Sequence, residues 1–325
     1  MIRLLDVPPG FLRVYAVLLG LVAGSFANVV IYRAPRGLSI VRPASRCPVC
    51  GVPIPVRYNI PVVSYLWLRG KARCCGARIS PRYAVVELLG GLLSLAIVEA
   101  IILRLPHDTS LARAAAVFTA DFFLAIGLLI ATFIDLEHMY VPDLVSIGGA
   151  VLGLLTFSLR PGVTFTGAVA GAAGGFLVVW LPFDVLYRKV RGRTGMALGD
   201  AKLLMLAGAW FGWLGAAFAL LAGAVQGTFF AILLFFAKGK IEEPPEVRAE
   251  KERARAEIER LPPEHRARAE AELLRDPIHE GPAEPESIGQ ARIAFGPFLA
   301  LATLEYLFVG RDFVENYVRW LGFRF

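Results

Sequence analysis

Apolar runs long enough to cross a lipid bilayer recur along nearly the whole chain, and they decide what it can fold into. A charge-poor run of roughly 18–20 residues satisfies its own backbone hydrogen bonds in lipid only as a helix. Hydropathy and length place about eight such runs, at 11–32, 83–103, 114–134, 144–159, 164–187, 201–215, 217–237 and 292–310. The fourth and sixth are short, and the boundary near Trp213 and Gly215 is the weakest. With 56% of 325 residues hydrophobic and a mean hydropathy of +0.60, the expected fold class is an all-α polytopic membrane protein. The alternative is a soluble helical enzyme with buried helices. The number and length of the runs argue against it.

Loop charge sets an expected orientation. Segment 33–82 carries Arg33, Arg36, Arg42, Arg46, Arg57, Arg69, Lys71, Arg73, Arg78 and Arg82. Segment 188–199 carries Arg188, Lys189, Arg191 and Arg193, and segment 238–291 is rich in both signs. Basic loops stay cytoplasmic, so the N-terminus and, after an even number of spans, the C-terminal tail are expected outside. The first run, from Phe11 to Ile31, lacks a polar cleavage region and reads as a retained span. The net charge of +7 belongs to these loops and gives no reason to expect nucleic-acid binding. The expected division is therefore a first span (1–32), a small cytoplasmic cysteine-containing domain (33–82), a membrane core (83–237), a charged cytoplasmic helical insertion (238–291), and a last span with its tail (292–325).

Two acids interrupt this apolar pattern. Asp135 ends the run AIGLLIATFI and Asp200 opens the run after GMALG. An ionisable group at the bilayer boundary is costly and is a functional candidate by default. Both fall at the cytoplasmic ends of their expected spans. Two carboxylates sharing a proton can activate water and cut a peptide bond. Taken singly, each aspartate serves equally well as an interfacial helix cap. Gly199 and Gly195 give the backbone near Asp200 room for close approach, and Lys202 offers charge balance. Asp121 and Asp143 read as structural, and Glu137 and His138 as loop residues beside Asp135 that are candidates for substrate contact.

All four cysteines lie between Cys47 and Cys75, in the basic segment. A reducing compartment argues for metal or free thiols over disulfides. The insertion contains EVRAEKERARAEIERLPPEHRARAEAELLRDP. Pairs such as Glu250 with Arg253 and Glu264 with Arg268 support two exposed helices, broken at Pro262 and Pro263. The insertion reads as a solvated hairpin or as a docking site for a partner.

The motifs GSFANVVIYR (24–33), CPVCG (47–51), YNIPVVSYLWLRGKARCCGARISPRYAVVELLGG (58–91), FIDLEHMYVPDLVS (133–146), GMALGDAKLL (195–204) and FGPFLALA (295–302) occur in this order. In them the chain resembles the bifunctional prepilin peptidases of type IV pilus and type II secretion systems. That resemblance implies a multi-pass protein of the bacterial cytoplasmic (inner) membrane. It implies removal of a basic leader from a prepilin or pseudopilin after glycine, then methylation of the new N-terminal amine with S-adenosylmethionine as donor. The family's catalytic aspartates fall on Asp135 and Asp200, and the peptidase step is expected to need no metal. Methylation is expected of the region around 24–87, with Asn28, Arg33 and Glu87 as candidates.

Two departures stand out. The first glycine of the family's Gly-x-Gly-Asp is Ala197, where a positive φ would be disfavoured. The second Cys-x-x-Cys pair reads Ala72-Arg73-Cys74-Cys75. A structural zinc held by Cys47, Cys50, Cys74 and Cys75 is still the expectation, although adjacent cysteines make poorer chelators. Other readings are a peptidase that has lost methylation, a non-catalytic assembly scaffold, and a proton-coupled transporter. The last would call for internal repeat symmetry that the sequence does not display.

Overall fold

The computed structural model describes residues 2–191, 196–238, 244–262, 265–266, 269–270, 273, 293–311, 313–314 and 316. Among them every regular element is helical, and pairing between extended residues is limited to three isolated bridges. The α-helices are α1 (Pro9–Arg33), α2 (Val63–Trp67), α3 (Arg82–Ala100), α4 (Leu111–His138), α5 (Asp143–Leu155), α6 (Phe165–Val179), α7 (Tyr187–Arg191), α8 (Leu198–Lys238), α9 (Pro245–Arg260) and α10 (Gly296–Glu305). Wide π-type turns extend α6 over Trp180–Leu186 and α10 over Tyr306–Gly310.

Among the described residues, five helical stretches are long and apolar enough to cross a membrane: Pro9–Arg36, Arg82–Arg104, Leu111–His138, Phe165–Val190 and Leu198–Ala237. Asp143–Leu155 and Gly296–Gly310 are apolar but shorter. The polarity is inverted relative to a water-soluble protein. Asp121, Asp135 and Asp200 are buried, while Phe123, Leu221, Val225 and Phe229 are exposed. Lipid is the solvent that makes this arrangement favourable.

The chain forms two compact units. The first comprises Met1–Ile130, Leu155–Gly162 and Leu307–Val309. In it α1 and α3 pack antiparallel through small residues. A Cβ at Gly24 would stand 2.7 Å from Glu87 Cα, and one at Gly90 would stand 3.1 Å from Gly24 Cα. In lipid, where apolar side chains gain little by leaving their solvent, such backbone approach is a main source of helix association. At the far end of this pair, Arg13 Nε donates to Glu99 Oε1 at 2.5 Å and its Nη2 to Oε2 at 3.2 Å.

The second unit comprises Ala131–Leu154, Val163–Tyr306 and Gly310–Phe325. Its centre is α6 against α8, and α8 is not one straight rod. Gly212 has φ 70° and ψ −167°, outside helical space. A Cβ on Gly175 would overlap the Leu204 carbonyl oxygen and lie 3.3 Å from Ala216 Cβ. An unbroken helix would hold residues 204 and 216 about 18 Å apart. The chain therefore reverses at Gly212, beside the boundary expected near Trp213 and Gly215. The expected count of about eight crossings is not shown as such, because several apolar segments are short or joined by this reversal.

Helix α9 begins with Pro245 in its first turn and ends on Arg260, as the helix dipole favours. It matches the first expected helix of the insertion, with Glu250 and Arg253 exposed but Val247 and Lys251 buried. Pro263, Glu264 and Arg268, Gly195 and Arg193, and the C-terminal tail beyond 316 lie outside the described residues.

Candidate active site

Asp135 occupies the last turn of α4 and Asp200 the first turn of α8. Both belong to the second unit. They are 6% and 5% exposed, and their carboxylates lie within electrostatic reach of each other. Two acids from opposite helix ends are thus buried within electrostatic reach of each other.

Backbone donors hold each acid in place. The Gly296 N–H donates to the Asp135 carboxylate, and the Ala197 N–H donates to that of Asp200. Gly296 opens α10, and a Cβ there would stand 2.6 Å from Asp135 Oδ2 and 3.2 Å from Leu203 Cδ1. Glycine is needed at 296 because any side chain would displace the carboxylate. Gly296 belongs to the motif FGPFLALA, but its contact with an acid 161 positions away is visible only in the fold.

Around Asp200, Gly199 permits close approach as expected. A Cβ there would meet Val141 Cγ2 at 3.0 Å. Ala197 is not among the residues of positive φ, so its methyl group is accommodated without backbone strain. Lys202 Nζ donates to Asp143 Oδ1 at 2.5 Å, tying the start of α5 to α8. Asp143 is thus structural, and Lys202 balances it instead of Asp200. Glu137 and His138 are half-buried in the final turn of α4. Asp121 is buried earlier in α4, in the first unit, within electrostatic reach of Arg160.

The cysteines belong to the first unit, in two turns of the same shape. Gly51 N donates to Cys47 O at 2.9 Å, and Gly76 N donates to Ala72 O at 2.8 Å. Ala72 therefore takes the position of Cys47, and Cys75 that of Cys50. Despite this, Cys74 also turns inward. The Sγ atoms of Cys50 and Cys74 are 3.3 Å apart, those of Cys47 and Cys75 3.7 Å, and those of Cys74 and Cys75 4.0 Å. All four lie within 4.8 Å of one another. A tetrahedral zinc with bonds of about 2.3 Å spaces its sulfurs about 3.8 Å apart, so the set fits. Without metal, hydrogen bonds from the Cys50 and Val49 amides lower the Cys47 thiol to about 6. The Cys50 thiol against Cys74 pushes that residue up to about 12.

Beside the cysteines lies a cavity of about 980 Å³. Its walls include Asn28, Arg33 and Glu87, along with Tyr58, Tyr65 and Tyr83. The three polar residues expected of the 24–87 region are thus brought to one site.

The sequence model of the bacterial peptidase A24 N-terminal domain matches residues 18–101, and that of the type IV leader peptidase family matches residues 122–232. Curated relatives carry the name prepilin leader peptidase/N-methyltransferase. The one from Aeromonas hydrophila is 36% identical over 253 residues, covering 70% of this chain and 83% of its own. The one from Neisseria gonorrhoeae is 34% identical over 250 residues, covering 69% and 83%. The one from Myxococcus xanthus is 34% identical over 320 residues, covering 91% and 90%. No solved structure matches. With both halves matched and a relative aligned along nearly its full length, the chain belongs to the type IV prepilin leader peptidase family.

Proposed function

We infer that this protein removes the leader from prepilins or pseudopilins with Asp135 and Asp200 and methylates the new N-terminus in the 980 Å³ cavity. The observation that carries the peptidase reading is the burial of two mutually interacting acids at the ends of two long apolar helices. A transporter relay would call for further polar groups along a path through the spans. The relatives' names favour coupled methylation over a peptidase alone.

The chemistry follows from two carboxylates sharing one proton. The ionised member takes a proton from water, and the water oxygen attacks the scissile carbonyl carbon. The protonated member donates to the carbonyl oxygen as charge develops there. Collapse of the tetrahedral intermediate breaks the C–N bond while a proton passes to the leaving nitrogen. Gly296 and Ala197, by donating to the acids, hold them rigid through these transfers. A glycine before the cut lowers the cost of unwinding the substrate helix, which otherwise shields its carbonyls.

Methylation takes place at the cavity, whose size is that of a small-molecule site, about 300–1,000 Å³. S-adenosylmethionine supplies an electrophilic methyl group on a sulfonium. Tyr58 and Tyr65 offer aromatic faces to its ring and cation, and Arg33 and Arg73 suit its carboxylate. Zinc at the four cysteines would brace the loop that forms one wall.

The basic segments favour a cytoplasmic side for residues 33–82, with the termini outside the inner membrane. Eight crossings result if each arm of α8 and the two shorter apolar helices span. Helix α9 offers a charged surface to an assembly partner.

A test separates the two activities. A pre-cleaved pilin, offered to proteoliposomes of the Asp135→Asn or Asp200→Asn protein with methyl donor, should be methylated as by wild type. Loss of methylation in both variants would merge the two sites and overturn this division.

A further inference from the structure

The cavity is lined by a residue whose buried acceptor has no partner among the described residues. Asn28 on α1 is 3% exposed. Its Nδ2 donates to Tyr83 O at 2.9 Å and to Gly24 O at 3.4 Å. These bonds fix the amide's orientation, because the reversed amide would set its oxygen against two carbonyl oxygens. Oδ1 is left buried with no hydrogen-bond partner, in a residue that lines the cavity. A desolvated acceptor of this kind is costly unless a ligand completes it.

Glu87 is the one acidic residue among those lining the cavity, against five arginines. Its Oε2 accepts the Val62 N–H at 2.7 Å. A carboxylate offers about four acceptor positions, so most of its capacity remains. Asn28 lies one helical turn from Gly24, which abuts Glu87 Cα, and Tyr83 lies one turn before Glu87. The two residues therefore stand on facing helices, offset along the helix axes by about one turn, or ~6 Å. Two acceptors on facing walls of one cavity suit a cationic group rich in N–H.

The neighbours indicate which cation. Val22, Phe26 and Val29 of the same span line this side, and Val22 and Phe26 are exposed. An amine attached to an apolar helix meets this wall from the membrane. A water-soluble methyl donor with its own carboxylate meets the arginines and tyrosines of the loop.

We propose that Asn28 Oδ1 and the Glu87 carboxylate receive the N-terminal α-ammonium of the newly cut pilin, and that Glu87 takes its proton. The neutral amine then attacks the sulfonium methyl carbon. The N–C bond forms, and the S–C bond breaks with its electron pair returning to sulfur. This rests on the cavity being the methylation site.

The test uses the full-length protein in nanodiscs. The ligands are a mature pilin peptide with a free N-terminus, the same peptide acetylated, and the methyl donor alone. Glu87→Gln keeps an oxygen for the Val62 amide and removes only the charge. Wild type should bind the free-amine peptide at least about tenfold more tightly than the acetylated one, the ratio expected of a charge-assisted hydrogen bond. Glu87→Gln should lose that preference and methylation while still binding donor and cutting prepilin. Asn28→Leu should weaken free-amine peptide binding likewise. Equal binding of both peptides by wild type, or a Glu87→Gln protein that methylates normally, would overturn the proposal. So would a Glu87→Gln protein that loses donor binding and keeps its peptide preference, since the acid would then serve the donor. A wild-type cavity that neither binds donor nor protects Tyr58 and Tyr65 from modification on donor addition would instead refute the methylation site itself.

Discussion

The backbone N–H of Gly296 donates to the Asp135 carboxylate, and a methyl group on Gly296 would stand 2.6 Å from Asp135 Oδ2. One residue at the start of α10 thus sets the position of an acid on α4. Gly296→Ala should push Asp135 away from Asp200. Displacement by about 1 Å costs roughly 100-fold in rate. Cleavage of prepilin by proteoliposomes should fall by about that factor, with the protein still folded and still methylating pre-cleaved pilin. Wild-type cleavage by Gly296→Ala would show that the carboxylate is not held there.

The Lys202–Asp143 ion pair has one partner 21% and the other 60% exposed at the side chain. Such a pair contributes about 0.2–1 kcal/mol. Asp143→Asn and Lys202→Met should each lower thermal stability slightly, and a double-mutant cycle should return a coupling within that range. Both proteins should cut prepilin, because neither residue holds a catalytic acid.

Gly212 combines φ 70° with ψ −167°, a region that side chains avoid. Gly212→Ala should cost about 1–3 kcal/mol, since the reversal of α8 leaves no other conformation. Thermal unfolding in nanodiscs measures this. A neutral result would mean that the chain turns elsewhere.

The cysteine cluster should contain one zinc per chain, measured by elemental analysis after exchange into metal-free buffer. Cys74→Ser and Cys75→Ser should each lose it. The protein with both Ala72→Cys and Cys74→Ala, which restores the regular spacing, should keep it. Zinc needs thiolates, and Cys74 at about 12 holds its proton at neutral pH. Binding should therefore release protons, and affinity should fall on acidification, most steeply once Cys47 protonates below about 6. Calorimetry in buffers of different ionisation enthalpy reads the release. Peptidase activity should survive zinc loss, because both acids lie in the other unit.

Much of this was legible in the sequence. Asp135 and Asp200 stood out because an acid in an apolar run has few inexpensive explanations. The break in α8 was expected within three residues of Gly212, from run length alone. Other features depended on approach between distant segments, which no local pattern records. Gly296 looks like any helix-opening glycine until α4 is seen beside it. Asn28 looks like an interfacial polar residue until its oxygen proves to be the one left over. Adjacent Cys74 and Cys75 looked ill placed for one metal, yet the turn closed by Gly76 directs both sulfurs inward. The count of about eight spans is not settled by helix length, because hydropathy does not distinguish a crossing helix from a short or reversed one.

The most direct measurement is the intact mass of a prepilin after incubation with proteoliposomes of wild type, Asp135→Asn and Asp200→Asn, each supplied with S-adenosylmethionine. The account predicts a leaderless pilin cut after glycine and carrying one methyl group from wild type, and uncut prepilin from both variants. Cleavage that persists in either variant would contradict the two-aspartate mechanism.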